Sequence, residues 1–172
     1  ASWMIHLRVA DSLLDTLAGI DQTAFVMGNI APDSGVPNVD WSAYFPPKEV
    51  SHFKAKRNDI SFYDIYRFLA ECFSVEKRRT YSRRTWSFFL GYWAHLLTDR
   101  EWVNRIMRPS LERYPSECTL DRYAFIWKLK KDWYDLDFLY FEQHPDFRAF
   151  QIYEQAVGFE NDMMDMFSRD EA

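Results

Sequence analysis

Chain breakers are few and clustered in this sequence, and their placement constrains the fold more than any other feature. Four of the seven prolines, Pro32, Pro37, Pro46 and Pro47, fall in one stretch that also holds Gly35, Asn38 and Asp40. On either side, apolar residues recur at helical spacing, and no segment alternates convincingly at the strand period. With 5 glycines against 19% aromatic residues, long packed helices suit the chain better than turn-rich sheet. The expected fold class is therefore all-α. A single-domain multi-helix bundle spans residues 1–172, with one long irregular loop at about residues 30–58. Loops of such length inside compact domains are usually functional or disordered; Trp41, Tyr44 and Phe45 argue against disorder here.

Along the chain, Trp3, Ile5, Val9, Leu13, Leu14 and Leu17 mark a first helix ending near Gly19, and Asp21 caps a short second one that reaches Asn29. The spacing from Ile60 to Phe73 predicts another helix. Residues 83–107 predict the central helix, stopped by Pro109. Residues 120–140 predict two helices bending near Trp133. Residues 147–157 predict one more, with Gly158 as its C-cap, and residues 161–167 a short tail helix.

Composition excludes several functions. A net charge of −5 over 172 residues lacks the basic footprint of phosphate-backbone binding, so no stable nucleic-acid partner is expected. No apolar run is long enough for a transmembrane segment, and the first residues carry no secretory leader pattern. Cys72 and Cys118 read as buried thiols in a reducing compartment, which predicts a cytoplasmic protein. The basic residues Lys77, Arg78, Arg79, Arg83 and Arg84 read as a solvated loop and helix start; a phosphate or nucleic-acid contact is the competing reading.

The four histidines, His6, His52, His95 and His144, hold most of the chemical information. His95 and Asp99 stand four residues apart on the predicted central helix and so share a face. A carboxylate in such apolar surroundings is costly unless it is paired or metal-bound. His6 sits among apolar residues near the N-terminus, Asp33 follows Pro32 past a helix end, and His52 lies in Ser51-His52-Phe53. Taken singly, each has a plainer explanation: a satisfied core histidine, a turn, a surface histidine, a buried His–Asp hydrogen bond. Taken together, imidazoles and carboxylates form a ligand set for zinc, and one that iron or manganese also accepts.

The order His6, Pro32-Asp33, Ser51-His52-Phe53, His95-x-x-x-Asp99 resembles the zinc-dependent phospholipase C superfamily, which includes single-strand-specific nucleases. The resemblance covers roughly residues 3–104 and implies an all-α fold with clustered zinc ions. It implies that Asp33, His52, His95 and Asp99 hold one metal, that Asp99 bridges to a second also bound by His6, and that Asp33 doubles as the catalytic base. Such a site suits a metal-dependent hydrolase of phosphate esters, phosphodiesters above all, acting through metal-activated water on a small phosphate-ester substrate. The alternative is a non-catalytic helical metal-binding protein with a structural or sensing role.

The family's third-metal residues, a further His and a His-x-x-x-Glu pair, are missing. Only His144 remains, as a helix-end residue, and position 148 is Arg, so one or two zinc ions are expected. Relatives also use the amine and carbonyl of an N-terminal Trp; here Trp3 lies one turn from His6 and is expected to pack beside it. Arg100 is expected to pair with an acid such as Glu142. Asp132 or Asp135 is a candidate for an extra ligand or a partner to a ligating histidine. No Gly-rich phosphate loop, nucleophile elbow or paired-cysteine motif competes with this reading.

Overall fold

The computed structural model describes residues 1–40, 42–58 and 60–167; Trp41 lies outside the described residues. Helix α1 (Trp3–Leu14) starts at Ser2, whose hydroxyl accepts from the Ile5 N–H, and buries His6, Leu7, Ala10 and Leu14. Helix α2 (Gln22–Ile30) starts at Asp21, which accepts from the Ala24 N–H. Both caps satisfy donors that the first helical turn leaves free.

The expected long loop carries more structure than its prolines suggest. A 3-10 turn (Ala31–Asp33) extends α2. A short antiparallel pair follows, β1 (Val36–Pro37) with β2 (Tyr44–Phe45), then the helical turn α3 (Lys48–Ser51). Strand β3 (Lys54–Arg57) pairs antiparallel with β4 (Ile60–Tyr63) in the register Lys54↔Tyr63 to Arg57↔Ile60. This hairpin corrects the expectation of helix from Ile60. Ile60 and Tyr63 stand at helical spacing, but Ile60 and Phe62 stand at the strand spacing of two, and Asn58 adopts a φ of 49°, the left-handed geometry that two-residue hairpin loops require. Helix α4 (Ile65–Cys72) begins only after Asp64, which caps it through the Arg67 N–H.

Helix α5 (Val75–Thr80) takes up the first basic residues. Lys77 donates to the Glu71 carbonyl, Arg78 lies over the Phe73 ring, and Arg84 lies over Phe159 and donates to the Glu160 carbonyl at 2.9 Å. The run thus clips surface segments together from a helix, where a loop was expected. Helix α6 (Arg83–Trp102) passes through a π-helical turn (Val103–Met107) into α7 (Arg108–Arg113). Pro109 therefore does not stop the central helix. It sits in the first turn of α7, where a missing N–H is tolerated. Arg100 pairs with its neighbour Glu101 at 3.2 Å and not with Glu142.

After α8 (Pro115–Leu120), α9 (Arg122–Gln143) runs unbroken past Trp133. It contains no glycine or proline, and Trp133 meets Trp102 edge-on at 5.2 Å, so the segment is one helix where two were expected. Helix α10 (Arg148–Gln155) lacks a cap of its own; Asp11 of α1 supplies one, accepting from the Ala149 N–H at 2.8 Å. The tail forms only a 3-10 turn (Asp165–Phe167). Cys72 and Cys118 are free thiols that are half-buried, not fully buried as expected. Among the described residues, no helix is long and apolar enough to cross a membrane.

Two apolar clusters hold the helices. One joins Phe53, Phe68, Phe88, Phe89, Tyr92 and Leu96; the other joins Leu7, Leu14, Phe25, Val26, Ile30 and Phe147. Between them α2 crosses α6 with the backbones in contact. A Cβ on Gly28 would lie 2.0 Å from the Phe88 carbonyl oxygen, and one on Gly91 2.0 Å from that of Phe25. Glycine at both positions permits an approach that no other residue allows.

Candidate metal centre

That close crossing positions the first ligand candidate. The Asn29 side-chain amide donates to the Gly91 carbonyl at 3.3 Å, and the Asn29 carbonyl lies 2.7 Å from His95 Nδ1. A carbonyl only accepts, so Nδ1 carries the proton and the Nε2 lone pair of the fully buried His95 faces the centre. His52 caps the end of α3. Its Nδ1 lies 3.0 Å from Ser51 Oγ, and the Tyr92 hydroxyl donates to the Ser51 carbonyl. The chain then reverses at Phe53, with φ of 49°. This left-handed conformation costs a non-glycine residue roughly 1–3 kcal/mol. Its cost is offset by a phenyl ring that is 1% exposed in the core and by a carbonyl that accepts from Asp64 N–H at 2.8 Å. The reversal sends Phe53 into the core and leaves His52 Nε2 in the site.

Four atoms now converge. His52 Nε2 lies 3.3 Å from Asp33 Oδ1, 3.4 Å from His95 Nε2 and 3.5 Å from Asp99 Oδ2, and His95 Nε2 lies 3.7 Å from Asp99 Oδ2. A tetrahedral zinc ion with bonds of about 2.0–2.1 Å has ligand–ligand edges of about 3.3–3.4 Å, close to these separations. His6 lies on the other side of Asp99, its Nε2 3.3 Å from Oδ1. Asp99 thus turns one oxygen to His52 and His95 and the other to His6, as a bridging carboxylate does; the Ala1 amino group also donates to Oδ1. His6 stacks on His95 with ring centroids 3.7 Å apart and planes 8° from parallel. Among the described residues, His6 Nδ1 has no hydrogen-bond partner, although the residue is fully buried. Two overlapping sets, His6–Asp33–His95 and His52–His95–Asp99, each lie within reach of a single ion.

Electrostatics agree with that use. Burial lowers the pKa of His6 and pushes that of His95 well below its ordinary value, so both rings are neutral. Burial alone would raise Asp33 and Asp99. The hydrogen bond from His52 to Asp33 and that from His6 to Asp99, with the neighbouring positive fields, outweigh it and hold both carboxyls well below the usual range. Neutral imidazoles and ionised carboxylates are the forms that bind zinc, so the residues present fit the ion.

The cluster is open on one side. Asp33, His52 and Asp99 line a cavity of about 400 Å³ that also receives Trp3, Tyr44, Lys48, Lys54, Tyr63, Trp102, Lys130, Trp133 and Tyr134. His6 and His95 lie behind. Tyr63 escaped the sequence reading because its segment was taken as helix; burial and the adjacent Asp99 push its hydroxyl far above its ordinary pKa. Asp132 and Asp135 do not join the site, being exposed, with Asp135 paired to Lys131 at 2.8 Å. The acid of that segment that turns inward is Asp137, whose carboxyl burial raises and Ser2 and Arg8 partly restore. His144 ends α9, stacked on Tyr140. Arg148 turns to Asp15 at 2.8 Å. Trp3 meets Tyr153 edge-on at 5.7 Å, while the face of His6 is taken by His95.

The family model for zinc dependent phospholipase C matches residues 5–102, a span that contains all five clustered residues. Comparison with the curated proteins and with the solved structures found no match.

Proposed function

The chain belongs to the zinc-dependent phospholipase C family, and from that membership we propose a metal-dependent hydrolase of phosphate esters that cleaves phosphodiesters. The observation that carries this reading is a buried imidazole–carboxylate cluster with one open side. Catalytic metal sites keep a position free for water or substrate, whereas structural sites are closed. The proposed ligands are Asp33, His52, His95 and Asp99 for one zinc ion, and His6 with the shared Asp99 for a second. When bound, zinc supplies Lewis acidity that activates water and draws charge from phosphoryl oxygens.

The side chains divide the remaining work. Asp33 borders the cavity, stays ionised, and lies 3.3 Å from His52 Nε2 and 3.7 Å from Lys48 Nζ. Its carboxylate takes the proton of the attacking water as the new phosphorus–oxygen bond forms and the ester oxygen leaves. The Asn29 carbonyl fixes the His95 ring, and Ser51 holds His52.

Asp33→Asn is expected to lower turnover by roughly 100-fold or more, the usual contribution of a general base, while removing proportionally less zinc. Turnover against an activated phosphodiester and zinc content of the same samples check this. Chelation is expected to abolish turnover in the wild type. A zinc-loaded wild type that is inert on a broad panel of phosphodiesters and phosphomonoesters instead establishes the structural or sensing role.

Stoichiometry is a separate expectation. Four protein contacts serve the first position and two the second, so the first binds tightly and the second weakly or only with substrate. His6→Ala is expected to keep the tight ion after dialysis. Three retained ions in the wild type, or loss of the tight ion from the His6 variant, would refute this partition.

A further inference from the structure

We propose that the cavity over the cluster carries a subsite, built from Lys54 and Lys130 and bordered by Lys48, that selects net-anionic phosphodiesters over zwitterionic ones. This rests on the reading that the cavity receives a phosphodiester. The three lysines arrive from separate elements, α3, β3 and α9, and line one cavity in a chain whose net charge is −5. Lys48 faces Asp33 at 3.7 Å. Among the described residues, Lys54 and Lys130 have no carboxylate partner. Their ammonium groups lie only over rings, Lys54 over Tyr63 at 5.4 Å and Lys130 over Trp127 at 4.8 Å. Half-buried cations without a counter-ion beside a reaction site favour an anionic ligand.

The rest of the wall points the same way. Among the described residues, the carboxylates that line the cavity are Asp33 and Asp99, both committed to the cluster, and neither is left to receive a quaternary ammonium. Aromatic rings alone can hold such a cation, and Trp3, Trp102, Trp133 and Tyr134 line the same cavity; two further rings already lie beside lysines, Tyr44 at 5.6 Å from Lys48 and Tyr63 at 5.4 Å from Lys54, whose like charge opposes a second cation in the cavity. The buried indole N–H of Trp102, in the same wall, has no acceptor within the described residues. The unmatched polar groups of the wall are therefore donors and cations, which suit phosphate and hydroxyl oxygens and repel choline.

The test compares dihexanoyl phosphatidylglycerol with dihexanoyl phosphatidylcholine, both below micelle-forming concentrations so that surface effects are absent. Hydrolysis by the zinc-loaded protein and binding of the non-hydrolysable phosphonate analogue of each lipid are measured. We expect kcat/KM to favour the glycerol lipid by about tenfold or more, as one or two charge-assisted contacts supply. The double variant Lys54→Met with Lys130→Met is expected to bring the ratio to about one at unchanged zinc content. Equal hydrolysis, or preference for the choline lipid, overturns the subsite and leaves the hydrolase reading intact. If neither lipid is cleaved but the glycerol phosphonate binds more tightly and loses that advantage in the double variant, the subsite stands and the hydrolase reading falls. Binding of neither phosphonate overturns both.

Discussion

His95→Ala is expected to leave the protein without tightly held zinc and without phosphodiesterase turnover. His95 belongs to both three-residue sets able to hold an ion, so neither set survives its loss intact. Removing the partner of a ligating histidine typically costs 10–100-fold in affinity, and removing the ligand itself is expected to cost more than about 100-fold by the same scale. The substitution also leaves the buried Asn29 carbonyl without its donor and opens a void against the His6 ring. Stability supplies an independent measurement, because an ion that binds only the folded chain stabilises it by mass action. Chelator is expected to lower the melting temperature of the wild type and to leave that of the variant unmoved. Zinc retained at wild-type stoichiometry after dialysis would exclude His95 as a ligand.

Gly91→Ala is expected to destabilise the fold strongly, against the helix propensity of the exchange. In an unconstrained helix alanine would be favoured by about 0.8–1 kcal/mol. Here the added Cβ would meet the Phe25 carbonyl oxygen at 2.0 Å and the Asn29 backbone nitrogen at 2.8 Å. These are backbone atoms that cannot turn aside, so α2 must move off α6. Overpacking of this kind costs about 1–3 kcal/mol and sometimes more; with backbone on both sides of the clash, about 3 kcal/mol or more is expected. That lowers the melting temperature by about 6–12 °C for a chain of this size. The same displacement pulls the Asn29 carbonyl from His95, so zinc affinity should fall although no ligand has changed. A variant that melts at or above the wild-type temperature would show that the two helices are not in backbone contact.

The sequence by itself determined what short-range chemistry controls. Asp21 starts α2 because a short polar side chain can reach the free N–H groups beside it. The five ligand candidates were legible because imidazole and carboxylate declare their metal preference by residue type, and because their order resembles that of a known family. The absence of a His-x-x-x-Glu pair could likewise be read from one residue, Arg148. Local ambiguity produced the errors. Ile60 and Tyr63 stand three apart, as on a helix face, whereas Ile60 and Phe62 stand two apart, as on a strand face, and the left-handed Asn58 between the strands is what decides for the hairpin. Pro109 is a breaker inside a helix but harmless in a first turn, and nothing at Trp133 divides α9 into two helices.

Only the tertiary structure decided how these residues act together. Which acid of the 131–137 segment turns inward depends on the phase of an unbroken α9, and the phase selects Asp137 over Asp132 and Asp135. The two-sided Asp99, the neutral stacked pair of His6 and His95, and the meeting of Lys48, Lys54 and Lys130 in one cavity each join residues far apart in the chain. In a sequence, Gly28 and Gly91 count only as weak points in helices. Across the α2–α6 crossing they set the distance that brings a backbone carbonyl to His95 and aims its free nitrogen at the centre. Residue type is a property of one position, whereas ligand geometry is a property of the distance between two backbones, and packing alone sets that distance.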